Sequence, residues 1–456
     1  MRLAPPPRLS ARPVELIAIL LVVVFLLGMC LYVFCGIRQY NDDMLRFMTT
    51  NYKERSAETY ENTPITPSIA ERATRTFRSY VLTMLFLVAA FLVMSYWTLK
   101  MNAGFLSSLC VLFILQGIGT STKVLFEGFY GITGEAGFII IGNFVFVAVF
   151  FIHLLVLRCQ LSGIAFASTT LLAVAMIGLL VFARLTRKST NGAYIWVFGI
   201  QPAEFLKDIL ILLAAASLRA TPRKIVYCFM ICASCLVITI CRDIGSVAVL
   251  AVLLFIMVMV LFDKRWLNFL LFVLFLVALY LVFKTQDTAM DRLEDWQNFM
   301  DPKLGNDQQL EFASVIVRGG WGGRGIGRAV EYFKLYAAGT DGVLGCVQAV
   351  YSFPMLLLAM GCYIVLILQC GFSRSTSPTN YLIMLQIAVM FTTQIFLNYG
   401  GSLGLIPFTG ITAPLLSTGG SSTISTMALL GMMFASMYTG NDIVPQPNNT
   451  QGRIKK

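Results

Sequence analysis

The sequence predicts an all-α, polytopic integral membrane protein. Of its 456 residues, 57% are hydrophobic and only 12% are charged, and the mean hydropathy is +0.78. Apolar runs of about 20 residues, long enough to cross about 30 Å of hydrocarbon, recur along most of the chain. Ten-residue segments of alternating polarity, the pattern typical of barrel strands, do not occur. The spans are therefore expected to be helices.

We predict about twelve spans. The first apolar run is too long for the core of a signal peptide and lacks a small-x-small cleavage site, so it is expected to be a retained span. Lys and Arg are concentrated in the short loops of one side, which predicts that both termini are cytoplasmic. The spans are predicted near residues 15–36, 79–98, 103–120, 137–157, 163–184, 203–218, 225–241, 244–262, 266–284, 346–370, 380–398 and 421–440.

This pattern divides the chain into segments. Residues 1–13 are predicted to be a cytoplasmic N-terminus, and residues 14–101 two N-terminal helices joined by an outer loop. Residues 102–440 form a transmembrane core that carries a large outer loop at residues 285–345, and residues 441–456 form a cytoplasmic tail.

The net charge of +11 does not indicate nucleic acid, because no basic tract is interleaved with aromatic residues. Anionic lipid headgroups and substrates are the expected partners. The cysteines lie in or beside apolar runs, which argues against a disulfide framework. Cys228, Cys232 and Cys235 share one helix without a nearby His or carboxylate, so we expect packing rather than metal binding. His153 is expected to be a packed histidine.

The large outer loop ends in a glycine-rich, cationic stretch. Its Gly320 to Gly325 segment fits G-x-G-x-x-G, but no strand precedes it, so a dinucleotide site is not expected. Glycines allow tight turns that expose backbone amides, and residues 329–335 are predicted to form a short helix whose N-terminus can receive an anion. A phosphate or pyrophosphate suits this segment; the alternative is a loop folded against the helices with solvated arginines. The cationic candidates are Arg318, Arg324, Arg328 and Lys334.

Asp341 follows Thr340 just before the next apolar span. A carboxylate at the boundary between water and lipid can act as a general base on a sugar hydroxyl, because burial raises its pKa while nearby cations lower it. The structural alternative is an N-cap ahead of Gly342.

Two further polar groups interrupt apolar spans. Glu204 and Lys207 are three residues apart in the first turn of a predicted helix, where they can form an ion pair. Such charges are costly in a membrane, so the pair is either functional or locks helices together. Arg242 and Asp243 are expected to cap a tight outer turn. Residues 403–422 predict irregular backbone that is buried in protein or lines a cavity on the side of Asp341.

Taken in order, these motifs resemble the SEDS family of shape, elongation, division and sporulation proteins, which includes RodA and FtsW. The resemblance rests on NGAxxW with QPAEFLK at 191–207, RDIGS at 242–246, GGWGGRGIG with TD in the large loop, and GLIPFTGITAPLLSTGGSS at 404–422. It covers residues 102–438 and implies a SEDS-type ten-helix core with two additional N-terminal helices.

The resemblance implies a peptidoglycan glycosyltransferase of the bacterial cytoplasmic (inner) membrane that polymerises lipid II on the outer face and releases undecaprenyl pyrophosphate. Its implied partner is a class B penicillin-binding protein. Asp341 matches the family's catalytic aspartate, with Thr340 beside it, and the loop cations, Glu204 and Lys207 are the candidate substrate-binding residues. A divalent cation, Mg²⁺ or Mn²⁺, is left open as a cofactor, and no organic cofactor is expected.

The chain departs from the family pattern around the motifs. The family histidine is Gly339, and the arginines usual before the tryptophan are Tyr194 and Ile195. The other departures are Ala203, Tyr336, Ala337, Ala349 and Val350. Two alternatives therefore remain open: a lipid II transporter, and a catalytically weak scaffold that recruits a penicillin-binding protein.

Overall fold

The computed structural model describes residues 13–55, 68–100, 105–130, 134–158, 162–186, 194, 196–218, 220–263, 265–284, 287–298, 307–326, 339–372 and 377–441. Helices account for nearly all of these residues. Their β structure is limited to one isolated bridge between Val197 and Ile200. The predicted all-α fold is confirmed.

Fifteen helices follow one another along the described chain. They are α1 (Pro13–Arg55), α2 (Ser68–Lys100), α3 (Leu106–Tyr130), α4 (Glu135–Arg158), α5 (Ser162–Leu185), α6 (Pro202–Ser217), α7 (Thr221–Ile240), α8 (Ile244–Leu261), α9 (Arg265–Lys284), α10 (Asp287–Gln297), α11 (Asp307–Gly319), α12 (Val343–Val350), α13 (Phe353–Phe372), α14 (Pro378–Ser402) and α15 (Gly420–Asn441).

Within the described residues, 9 helices are long and apolar enough to cross a membrane. They coincide with nine of the predicted spans, so the protein is a polytopic membrane protein. The predicted spans at α6 and α15 are helices that do not meet this measure, and α9 contributes a shorter apolar stretch, Asn268–Val277, among the described residues. Helix α6 has only 16 residues, and most of its side chains are buried. A helix surrounded by other helices can carry the polar and small residues that α6 and α15 contain.

The span predicted at residues 346–370 is divided into α12 and α13. Helix α12 ends at Val350, and α13 begins at Phe353 with Pro354 in its first turn. Proline is tolerated there because the first amides of a helix have no intrahelical acceptor. Helix α12 is therefore a separate short helix, and the turn that precedes it contains Asp341.

Helices α4 and α15 form the most extensive helix–helix contact among the described residues. A Cβ atom on Gly431 would lie 2.6 Å from the backbone oxygen of Phe146, so only glycine allows the two backbones to approach this closely. The ring of Phe434 packs at centroid distances of 5.2 Å from both Phe146 and Phe105. This contact fixes the position of α15, whose first turns carry the serines and threonines of the core.

The additional N-terminal helices pack against α3. Tyr80 of α2 donates a hydrogen bond to the backbone oxygen of Met29 in α1, at 3.2 Å, and its hydroxyl oxygen lies 2.9 Å from Oγ of Ser121 in α3. Gly36, the last residue of the apolar part of α1, contacts the side chain of Ile326. Helix α1 therefore connects the core with the end of the glycine-rich segment.

The ion pair predicted between Glu204 and Lys207 is present on α6. Nζ of Lys207 lies 2.7 Å from Oε1 of Glu204, and both side chains are enclosed, with side-chain exposures of 0% for Lys207 and 4% for Glu204. One turn further, Oγ of Ser425 in α15 donates to Oδ1 of Asp208 at 2.9 Å. The charges of α6 are thus satisfied inside the helix bundle.

We expect Lys207→Ala to lower the free energy of unfolding by about 3–5 kcal/mol, because it leaves the carboxylate of Glu204 buried without its partner. The double variant Glu204→Gln/Lys207→Met removes both charges and is expected to retain most of the stability. Thermal unfolding of the purified proteins in one detergent measures both effects. A single variant within about 0.5 kcal/mol of the wild type, the usual range for surface substitutions, would show that the pair does not hold α6 in place.

Candidate functional site

Asp341 lies in the turn that precedes α12. Its side chain is partly buried, and a Cβ atom on Gly410 would lie 3.7 Å from its Oδ2 atom. Gly410 itself is exposed, so the carboxylate is near the surface of the protein at this point. The N-cap of α12 is Gly342, without a side-chain cap. The alternative that Asp341 is the helix cap is therefore wrong.

Hydrogen bonds from two other segments hold the turn before Asp341. Nδ2 of Asn398, on α14, donates to the backbone oxygens of Thr340, at 3.2 Å, and of Ile411, at 2.8 Å. The hydroxyl of Ser417 also donates to the Thr340 oxygen. The amide of Thr418 donates to the oxygen of Gly339 at 2.7 Å. The second half of the irregular segment 403–419 is therefore held against the turn, as expected for such backbone inside a membrane protein.

Four influences set the pKa of Asp341. Together they raise it to about 7, and burial has the largest effect. The guanidinium of Arg292 lowers the pKa, and the carboxylate of Asp243 raises it. A hydrogen bond with the Thr340 side chain lowers it. A carboxyl group with this pKa exists in both protonation states near neutral pH. This property suits a general base that accepts a proton and later releases it.

Asp243 caps α8, as the sequence predicted for the turn after Arg242. Its Oδ1 atom accepts from the amide of Ser246 at 3.1 Å, whereas its Oδ2 atom is buried without a hydrogen-bond partner. The side-chain oxygens of Ser246 and Thr409 are also buried and unpartnered. A Cβ atom on Gly245 would lie 2.7 Å from the backbone oxygen of Thr409, so these oxygens belong to one contact between α8 and segment 403–419.

Arg292 belongs to α10, which lies against segment 403–419. Nε1 of Trp296 donates to the backbone oxygen of Gly404 at 2.9 Å. Gln309, on α11, donates to the oxygen of Ile406 at the same distance, and the ring of Phe312 stacks on that of Phe408 at 5.5 Å. These contacts attach both loop helices to the segment beside Asp341 and bring Arg292 within electrostatic reach of the carboxylate.

Helices α11 and α12 lie side by side in the same direction. Gly342, at the start of α12, contacts Phe312, and Gly319, at the end of α11, contacts Ala349. Seven residues of α-helix separate the two contact points on α12, a distance of about 10 Å at 1.5 Å per residue. The end of α11 is therefore remote from the turn that holds Asp341.

This register decides where the predicted loop cations lie. Arg318 and Arg324 are exposed and lie at the far end of α12, whereas Asp341 precedes its near end. Of the cations in the described loop helices, Arg292 is the one that acts on Asp341. Arg328 and Lys334, together with the short helix predicted at 329–335, lie outside the described residues.

The glycine-rich segment is folded against the end of α12. The amides of Arg324 and Gly325 donate to the backbone oxygens of Ala349 and Val350, both at 2.9 Å. Gly323 has φ +66, and a Cβ atom there would lie 2.6 Å from the backbone of Tyr351. These two amides are therefore used within the protein and are not free to bind an anion, in agreement with the alternative of a loop packed on the helices.

A second polar cluster surrounds the start of α15. Nζ of Lys123 donates to Oγ1 of Thr423 at 2.7 Å, and the amide of Gly419 donates to Oε1 of Glu135 at 3.1 Å. The Glu204–Lys207 pair lies in the same part of the core. It is linked to α15 because Oγ of Ser425 donates to the backbone oxygen of Glu204 at 3.4 Å. Lys123 and Lys207 are both fully buried, so they act here as core residues of the closed bundle.

The described residues contain no group of three or more His, Cys, Asp or Glu side chains placed to hold a metal ion. The residues of the site that the sequence did not indicate are Arg292, Asn398 and Ser417. Arg292 lies in the first part of the large outer loop, residues 285–311, which is rich in acidic residues. Its role becomes apparent only from the packing of α10 against segment 403–419.

Comparison with known proteins agrees with the fold and the order of the motifs. The profile of the cell cycle protein family of FtsW, RodA and SpoVE matches residues 96–439. A protein of Bacillus subtilis named probable peptidoglycan glycosyltransferase FtsW is 26% identical over 316 residues, covering 62% of this chain and 76% of its own length. A protein of the same name from Aliivibrio salmonicida is 27% identical over 303 residues, covering 62% and 74%.

Two solved structures share the fold. One, from a study titled "Structural coordination of polymerization and crosslinking by a peptidoglycan synthase complex", has a TM-score of 0.57 and 22% identity, and the match covers 72% of this chain and 96% of the other. The rod shape determining protein RodA of Thermus thermophilus, in a mutant form, has a TM-score of 0.50 and 20% identity, with coverages of 72% and 97%. Since the family profile spans most of the sequence and the fold agrees, the chain belongs to the cell cycle protein family that contains FtsW, RodA and SpoVE.

Proposed function

We propose that this protein is a peptidoglycan glycosyltransferase that polymerises lipid II on the outer face of the bacterial inner membrane. The observation that carries the proposal is the partly buried carboxyl group of Asp341, whose pKa is raised to about 7 in a turn fixed by hydrogen bonds. The names of the FtsW relatives support the same activity. On this proposal, the side of the bundle that carries Asp341 faces away from the cytoplasm.

In the proposed reaction, the 4-hydroxyl of the acceptor sugar gives its proton to the carboxylate of Asp341. The hydroxyl oxygen forms a bond with the anomeric carbon of the donor sugar. The bond between that carbon and the pyrophosphate breaks, and its electron pair leaves with undecaprenyl pyrophosphate. Arg292 contributes positive charge beside Asp341 and the developing negative charges.

A class B penicillin-binding protein is the proposed partner, since the structural relative comes from a study of a peptidoglycan synthase complex. A divalent cation is left open as a cofactor, and no step of the proposal uses one.

We expect Asp341→Asn to lower the rate of glycan synthesis at least about 100-fold, because general base catalysis typically contributes a factor of 10²–10⁴. Purified protein, with and without its penicillin-binding partner, is given lipid II and Mg²⁺, and the glycan chains are resolved on gels. Glu311→Gln is the matched control, because Glu311 is an exposed acid on α11. Full activity of the Asp341→Asn protein would contradict the proposal.

The same preparation in vesicles separates the two alternatives. Movement of labelled lipid II across the bilayer without chain growth would replace the proposal with a transporter. If neither activity occurs and the protein still binds the penicillin-binding protein, the scaffold is the correct function.

The raised pKa predicts the pH dependence of glycan synthesis. The general base must be a carboxylate, so the rate is expected to fall about tenfold per pH unit below pH 7 and to level off above it. Rates measured between about pH 3.5 and pH 9 at lipid II concentrations well below KM, which report ionisation of the free enzyme, test this expectation. An acid limb centred near pH 4, the usual carboxyl range, would contradict it.

Two substitutions should move that acid limb in opposite directions. Asp243→Asn removes a negative charge that raises the pKa of Asp341, so the limb should shift to lower pH. Arg292→Gln removes a positive charge that lowers the pKa, so the limb should shift to higher pH. Glu311→Gln serves again as the control, with no expected shift. Shifts of both variants in the same direction would refute the assigned electrostatics.

A further inference from the structure

Two arginines from different parts of the chain meet on one tyrosine ring. The guanidinium carbon of Arg184, near the end of α5, lies 4.3 Å from the ring centroid of Tyr194, and that of Arg242, in the turn between α7 and α8, lies 5.9 Å from it. Tyr194 is held in place by its amide, which donates to the backbone oxygen of Cys241 at 2.9 Å. A guanidinium stacked on a ring keeps its N–H groups at the edge, where they can bind an oxyanion.

Among the described residues, the ion pair found is the one between Glu204 and Lys207 on α6. Neither guanidinium therefore forms an ion pair with another described residue. Nε of Arg184 is buried and has no hydrogen-bond acceptor. Asp243 follows Arg242 directly, but its hydrogen bond goes to the amide of Ser246. Two neighbouring positive charges, one with an unsatisfied buried donor, are unfavourable unless an anion joins them.

The backbone of Arg242 is also unusual. Its φ is +66, a value that side chains other than glycine rarely adopt, and its amide donates to the oxygen of Thr239 at 2.9 Å. Such strained conformations are concentrated at functional sites, where they aim a side chain. Here the conformation is compatible with a guanidinium aimed at Tyr194.

The segments that supply these residues also present apolar surface. Phe182, on α5, and Phe198, beyond Tyr194, stack with ring centroids 6.4 Å apart and are 46% and 89% exposed. Ile200 next to them is 51% exposed. A cationic group beside exposed apolar side chains at the end of a membrane helix suits a ligand with an anionic head and an apolar tail.

We propose that Arg184, Arg242 and Tyr194 form a binding site for the phosphate or pyrophosphate group of a membrane lipid. The site lies beside Asp243, whose charge raises the pKa of Asp341. If the proposed function is correct, on which this one point rests, the site is placed to hold the pyrophosphate of a lipid-linked sugar. The tail of that lipid would run along Phe182 and Phe198. The shared ligand chemistry is a phosphate, whether from a lipid-linked substrate, a phospholipid headgroup or free phosphate.

The test measures binding without turnover. Purified protein in a neutral detergent is titrated by calorimetry with farnesyl pyrophosphate, inorganic pyrophosphate and farnesol. We expect farnesyl pyrophosphate to bind most tightly, and the double variant Arg184→Gln/Arg242→Gln to bind it at least tenfold more weakly. The double variant Arg184→Lys/Arg242→Lys keeps the charges and is expected to recover part of the affinity.

Arg223→Gln is the matched control, because Arg223 stacks on Phe166 at 5.1 Å at the opposite end of α7. Its affinity for farnesyl pyrophosphate should equal that of the wild type. Displacement of the probe by phosphatidylglycerol nanodiscs would identify a phospholipid headgroup as the bound source, and displacement by inorganic pyrophosphate alone would identify free phosphate. Either result supports the phosphate site.

Equal affinity of wild type and the Arg→Gln double variant, with both proteins folded by thermal unfolding, would overturn the inference. Farnesol binding as tightly as farnesyl pyrophosphate would do the same. The binding of farnesyl pyrophosphate is measured without turnover, so binding and glycan synthesis fail independently. If glycan synthesis is absent while the arginines still bind the probe, the proposed function is wrong and the lipid phosphate site remains.

Discussion

The partial burial of one carboxyl group, that of Asp341, is the constraint on which the site depends. Removing a carboxylate from water favours its protonated form. The protein keeps this carboxyl group partly buried by fixing the turn, and it does not neutralise the charge with an ion pair among the described residues. Asn398 binds the turn and segment 403–419 together, and Ser417 adds a second bond to the same backbone oxygen. The positive charge of Arg292 and the negative charge of Asp243 then adjust the pKa in opposite directions. The result is a proton acceptor near neutrality on a rigid support.

Much of this arrangement is local in sequence and was therefore predictable. Apolar runs give the spans, because a helix that crosses a bilayer needs about 20 apolar residues. The spacing of Glu204 and Lys207 gives their ion pair, since residues three apart share a helix face. The polar interruption at 403–422 gives a buried irregular segment, and Asp341 lies in a turn beside that segment.

What could not be predicted depends on contacts between distant segments. The glycine-rich stretch suggests an anion cradle when considered alone, but the amides of Arg324 and Gly325 bind the end of α12. Nothing local indicates that Arg292 reaches Asp341, because its position follows from the packing of α10 on segment 403–419. Likewise, only the fold brings the guanidinium groups of Arg184 and Arg242 to the ring of Tyr194. Tertiary packing thus brings charged side chains together that are far apart in the sequence and belong to no common motif.

The central claim is that Asp341 is protonated and deprotonated near pH 7, and an infrared titration of its carboxyl group tests it most directly. Difference spectra between wild type and Asp341→Asn, recorded from about pH 2.5 to pH 9 in lipid, isolate the C=O stretch of that one group. The account predicts that this band is present in acid and disappears with a midpoint near 7. A midpoint near 3.9, the ordinary value of an aspartate in water, would show that the group is not held in a desolvating environment and would contradict the account.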